Sequence, residues 1–218
     1  MATPAHPPRP RRRTRRKEAR PGEILAAALA LFAAHGFTAT RLEDVAHRAG
    51  VSKGTIYLYF PTKEALFRAV VRQGLLPNIA AMEELAAGHQ GSTAALLREI
   101  LGRMFSLIES DLAVIPLLVL TESGNFPGIA RIYAEEVAGR GRRLIADVLA
   151  RGVERGEFRP LDIPSVVPLV AAPILMLLLW HSAFARHVAP PPGLAFDPRA
   201  VFAAHLDALL RGLAPDRP

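Results

Sequence analysis

Cysteine is absent from the 218-residue sequence, which excludes a disulfide framework and any thiolate metal site. That composition suits the cytoplasm. The seven histidines are scattered, and no two stand four apart as a helical metal site would require. There is no G-x-S-x-G elbow, and the GRGRR run at 139–143 sits within a helical pattern rather than after a strand. Glu135 and Glu136 point to different sides of a helix and read as solvated. No nucleophile has a visible base, so these absences argue against an enzyme and leave no cofactor to expect. Alternating strand patterns and internal repeats are missing as well.

The charge-free run VVPLVAAPILMLLLW at 166–180 falls short of the about 20 residues of a membrane span. It contains Pro168 and Pro173 and stops at His181. A buried helix at an oligomer interface is the better reading, with no membrane anchor expected. The rival, a membrane-associated helical protein, would combine this run with the basic tail described next.

Half of the residues are apolar and 22% charged, as in a globular protein. The net charge of +7 is unevenly placed. Residues 1–20 hold eight Lys or Arg and one acid, Glu18, while the rest of the chain has 19 of each sign. A Pro- and Arg-rich arm of this kind buries nothing and is expected to be disordered, lying along DNA phosphates when bound. An export signal or mitochondrial presequence is the alternative, since arginines precede an apolar stretch. Against it, 24–32 is alanine-rich and amphipathic, and no clear cleavage site follows.

The remaining pattern is helical throughout, which predicts an all-α fold. A first helix spans 21–34, with Pro21 in its first turn and Gly36 beyond its end. A second starts at Thr40, whose spacing to Glu43 is that of a capping box. Ala49-Gly50-Val51 makes a tight turn with Gly50 left-handed, and Ser52 caps a third helix from Lys53 to about Tyr59. Pro61 stops it. Thr62 caps a fourth from Lys63 toward Ala87, with Pro77 a kink. Further helices are predicted at about 93–110, 112–122, 128–155, 162–187 and 198–212, with a Pro-rich loop at 190–193.

Three short helices with a small-residue turn between the second and third have the form of a helix-turn-helix, whose third helix enters the major groove. The stretch ILAAALALFAAHGFTATRLEDVAHRAGVSKGTIYLYFPTKEALF resembles the DNA-binding domain of TetR/AcrR-type regulators over about 23–67. IL-x-AA, T-x-x-x-x-V-A, AGVS-x-GT-x-Y-x-x-F and KE-x-L all stand in place.

This resemblance implies residue roles. Lys53 reaches a base edge or phosphate, Gly54 lets the backbone approach DNA, and Thr55 offers a small donor and a methyl group. Tyr57 and Tyr59 donate to phosphates; Tyr59 stands where many family members carry His. Thr40, Arg41, Ser52 and Lys63 clamp the flanking backbone at helix N-termini. Taken alone, Lys53 and Lys63 are ordinary solvated lysines, and Thr40, Ser52 and Thr62 are caps in any case. Ile56, Leu58 and Phe60 are assigned to the core.

ESGNFPGIARIYAEEV and LARGVERGEFRPLD are similar to the C-terminal domain of the AefR-like subgroup. The resemblance implies an effector-binding and dimerisation domain over 69–215, after an arm at 1–20 and a reading head at 21–68. The apolar helices at 162–187 and 198–212 independently call for a second copy, packed as a four-helix bundle in a homodimer. A small, largely apolar effector would lie among Met104, Phe105, Ile108, Leu118, Glu122, Phe126, Met176 and Trp180, although a Met or Phe at helical spacing is more often core. The combined expectation is a cytoplasmic, homodimeric repressor that binds double-stranded DNA at a palindromic operator and is released by its ligand.

Overall fold

A computed structural model describes residues 15–181 and 197–215, with side chains from residue 21. Among the described residues the secondary structure is all-α, with no strand. The helices are α1 (Arg15–Ala39), α2 (Leu42–Arg48), α3 (Lys53–Tyr59), α4 (Lys63–Gly74), α5 (Leu76–Gly88), α6 (Thr93–Ser106), α7 (Val114–Glu122), α8 (Pro127–Tyr133), α9 (Gly139–Glu154), α10 (Ile163–Leu179) and α11 (Pro198–Leu213). Single 3₁₀ turns at Leu107–Glu109 and Asp111–Ala113 lead into α7, and a π-helical turn at Ala134–Ala138 joins α8 to α9.

Helix α1 begins six residues before Pro21, because RRKEAR at 15–20 consists of good helix formers. Those six residues had been assigned to the disordered arm; residues 1–14 of that arm lie outside the described residues. The regular part of α1 ends at Gly36, whose φ of +76° is open only to glycine at little cost. As expected, Gly50 also has positive φ, at +66°.

The predicted kink near Pro77 is a break between α4 and α5 at Leu75, with Pro77 in the first turn of α5. The end of the helix predicted to 187 and the loop at 190–193 lie outside the described residues.

Two hydrophobic cores divide the chain. The first joins α1–α4 and is completed by Ile115 and Leu118 of α7 and Ile129 and Ile132 of α8. The boundary predicted at residue 68 is therefore crossed by packing. The second core gathers α5, α6, α9, α10 and the end of α11 around Leu96, Ile100, Leu149, Val170 and Leu177.

Helix α10 buries Val167, Val170, Ile174, Leu177 and Leu178, yet leaves Leu169, Leu175 and Met176 exposed on its other side. At 17 residues it is shorter than a membrane span. The 19-residue segment Pro21–Ala39 is long and apolar enough to cross one, but Ile24, Leu25, Ala28, Leu31 and Phe32 are spent in the first core.

Candidate nucleic-acid interface

Helices α2 and α3 are joined by a turn that closes on itself. The Val51 N–H donates to the Ala46 carbonyl at 2.9 Å, and the Gly50 N–H to that of His47 at 3.1 Å. Ser52 caps α3 as predicted, accepting from the Thr55 N–H at 3.1 Å and sharing a 2.8 Å hydroxyl contact with Thr55. Leu42, Val45 and Ala46 from α2, with Ile56 and Phe60, anchor the pair in the core.

The opposite side of α3 faces solvent and carries Lys53, Gly54, Tyr57, Leu58 and Tyr59. Glu43 of α2 organises it. Its carboxylate accepts from the Tyr57 hydroxyl at 3.0 Å and pairs with Lys53 at 2.8 Å, while Lys53 lies 5.8 Å from the Tyr57 ring centre. Lys53, the backbone of Glu43 and Tyr57 together hold this carboxylate down to a pKa of about 2, and the same contact raises Lys53 and Tyr57. One carboxylate thus holds both Lys53 and Tyr57 on the outward side of α3. Tyr59 stands beside Phe60 with ring centres 6.3 Å apart.

Four expectations are corrected at this site. Thr40 neither caps α2 nor faces outward: it is 3% exposed, and its hydroxyl donates to the Gly36 carbonyl at 2.7 Å. Left without an outward Thr40, the capping contact moves one residue along, from the Arg41 N–H to the Asp44 carboxylate at 3.3 Å. Arg41 itself is exposed beside it. Leu58, assigned to the core, is 80% exposed.

Lys63 is the fourth correction. Its ammonium donates to the carbonyls of Phe37, Thr38 and Thr40 at 2.6, 3.1 and 3.0 Å, which uses all three of its N–H groups. It also lies 4.5 Å from the Phe37 ring centre and 5.4 Å from that of Phe126. Burial lowers its pKa, opposed by Glu64 and Glu122. In this arrangement Lys63 stitches the end of α1 to α4 and is not an ordinary solvated lysine.

The residues predicted to line one effector pocket are divided. Leu118 belongs to the first core, Phe126 packs edge-on against Phe37 at 5.0 Å, and Glu122 accepts from the Thr38 hydroxyl at 2.6 Å and its N–H at 3.2 Å. These three hold head to body. Met104, Phe105 and Ile108 lie in the second core, where Phe105 stacks on Phe202 at 4.4 Å. Met176 is exposed and Trp180 is half-buried at the end of α10. Helical spacing told which residues are apolar on one face, but not which core each face meets. Neither the concavity beside His35 and His47 nor the one between Ala86 and Leu144 is lined by any of the eight.

A second link between head and body had no sequence signal. Glu136, on the π-helical turn, accepts from Arg68 at 3.1 Å and from Arg72 at 2.7 and 2.9 Å. These arginines hold its carboxyl below the usual value. Arg68 and Arg72 are one turn apart on α4, but 64 to 68 residues separate them from their partner.

Residues 24–70 match the family model described as bacterial regulatory proteins, tetR family, and residues 87–189 match a tetracyclin repressor-like C-terminal domain. The C-terminal match gives no particular support to the AefR-like subgroup. The HTH-type transcriptional regulator RutR of Escherichia coli K12 is 52% identical over 62 residues, 28% of this chain and 29% of its own. The HTH-type transcriptional repressor KstR2 of Mycobacterium tuberculosis is 29% identical over 164 residues, 74% of this chain and 81% of its own. Its solved structure superposes with a TM-score of 0.65 at 26% identity, over 90% of this chain and 96% of that one. The transcriptional regulator FadR of Bacillus subtilis, solved with stearoyl-CoA, shares the fold with a TM-score of 0.71 at 23% identity, over 88% of this chain and 98% of that one.

Proposed function

Because this chain belongs to the TetR family, and is on that ground a DNA-binding transcriptional regulator and not an enzyme, we propose that it is a repressor released by a small, largely apolar ligand. It binds a palindromic operator as a homodimer and works in the cytoplasm, without a membrane partner. The observation that carries the reading is the outward side of α3, where Lys53 and Tyr57 stand on Glu43 while Ile56 fixes the helix to the core. Lys53, Gly54, Thr55, Tyr57 and Tyr59 contact DNA from α3, and Ser52 and Arg41 flank them. The Pro- and Arg-rich N-terminal arm adds phosphate contacts.

Dimerisation uses α10 and α11. Leu169, Leu175 and Met176 on α10 and Val201 on α11 are exposed apolar side chains that a second copy would cover. A twofold axis through such a bundle presents two α3 helices to successive turns of the major groove.

The effector is proposed to enter the second core near Met104, Phe105 and Ile108. The stearoyl-CoA in the crystal structure of FadR, whose acyl chain is apolar, supports an apolar part in the ligand. Release follows when the ligand binds more tightly to the state whose heads do not fit the operator. Coupling runs through α4, held by Arg68 and Arg72 on Glu136, and through Glu122 on Thr38.

The test begins with selection of duplexes from a randomised pool by the full-length protein, followed by gel-shift titration. The expected outcome is a palindromic duplex bound two chains at a time, with Tyr57→Ala weakening binding about tenfold, the loss that roughly 1.4 kcal/mol of phosphate contact converts to. A pool that yields no enriched sequence would overturn the reading.

A further inference from the structure

Among the described residues Leu58 is the most exposed large apolar side chain, at 80%, and it stands on the helix that the head presents outward. Successive residues of a helix turn by about 100°, so Leu58 lies about 200° around α3 from the buried Ile56. It points away from the core. Gly54, one turn earlier, is its neighbour on the same side and has no side chain.

The fold itself does not ask for that glycine. An added Cβ at Gly54 would meet only the Ser52 hydroxyl, at an ordinary 3.9 Å, and no positive φ constrains the position. Glycine is also a poorer helix former than alanine, so the helix itself does not favour it. Together the two residues make a bare shelf with an apolar prong beside it, flanked by Lys53 and Tyr57.

We propose that Leu58 is a specificity-determining residue that packs on the C5-methyl group of a thymine in each half-site, with Gly54 allowing α3 to come close enough. In the major groove that methyl is the apolar feature distinguishing thymine from the other bases, so an exposed leucine among polar readers has one natural counterpart there. The inference rests on the proposed entry of α3 into the major groove.

The experiment uses the duplex selected by the full-length wild-type protein. Each thymine of the half-site is replaced in turn by deoxyuridine, symmetrically in both halves, which removes the methyl and leaves base pairing unchanged. At one position per half-site, affinity should fall about fourfold per methyl, the factor that ~0.8 kcal/mol of buried CH₂ converts to. Leu58→Ala should bind the thymine and deoxyuridine duplexes equally while melting at the wild-type temperature.

Tight binding that no deoxyuridine changes would overturn the proposal and leave the DNA-binding function standing. So would a sensitive position that stays sensitive in Leu58→Ala. Failure to select any duplex would instead remove the function on which it rests.

Discussion

At the centre of the reading head Phe32, Phe37 and Phe67 meet with ring centres 5.5 to 6.2 Å apart, and Phe126 of the body joins them. The body's own core is chiefly aliphatic, filled by Leu96, Leu97, Ile100, Leu101, Ile145 and Leu149. The first core is closed by polar stitches at its edge: Thr40 on Gly36, Lys63 on three carbonyls, Glu122 on Thr38. The second keeps apolar side chains outside, on α10 and α11. Rings and stitches fix one geometry, which suits a head that must present α3 at a set angle. An aliphatic core with an apolar exterior suits the proposed ligand and second copy.

The largest expected effect breaks the shared side of this contrast. Phe37→Ala should cost about 3–5 kcal/mol of stability, the range for removing a buried aromatic ring. Because Phe126 loses its partner too, hydrogen exchange should accelerate in α7 and α8 as well as in α1–α4. Loosening confined to α1–α4 would mean that head and body do not share a core.

A charge on the body's exterior should leave its fold intact and undo its pairing. Leu169→Glu with Met176→Glu, both at exposed positions, is expected to weaken dimerisation at least a hundredfold, which converts to about 2.7 kcal/mol. Sedimentation equilibrium across a concentration series reads this directly. A dimer as tight as wild type would place the interface elsewhere.

A smaller effect tests the readiness of the outward side of α3. Glu43 is held at about 2 by Lys53, its own backbone and Tyr57, against an ordinary 4.5. A depressed folded-state carboxylate contributes above its unfolded value and loses that contribution as pH falls toward its folded value. The link between α2 and α3 should therefore persist through pH 4.5 and open toward pH 2. NMR titration of the Glu43 carboxyl carbon should show a midpoint near 2; one near 4.5 would show that the link is absent in solution.

Much of the head was legible because its signals are local. Ser52, Gly50, Thr62 and the small Ala46 act on backbone within a few residues, so spacing alone reveals them. Leu58 was misread although its signal was present. Apolar residues at 56, 58 and 60 alternate, and on a helix that spacing turns the middle one outward. Lys63 carried no such signal, since its carbonyl partners lie 23 to 26 residues away. The predicted effector residues divide between two cores for a related reason. Periodicity marks a buried face, but whether that face meets Phe37 or Phe202 depends on how α6, α7 and α10 cross.

The clearest separation is between two lysines that look alike in the sequence. Lys53 is solvent-exposed, with Glu43 and the Tyr57 ring beside it, whereas Lys63 is enclosed by three carbonyls and two rings. One measurement on Lys53→Ala and Lys63→Ala tests it: operator affinity against salt concentration, with a thermal melt of each variant. Lys53→Ala should melt as wild type and lower the slope of log affinity on log salt by about 0.9, the value for one lost phosphate contact. Lys63→Ala should keep the wild-type slope and lose about 2 kcal/mol of stability, because three carbonyls lose their donor. A reduced slope with an unchanged melt for Lys63→Ala would return that residue to the DNA and contradict the division between reader and stitch.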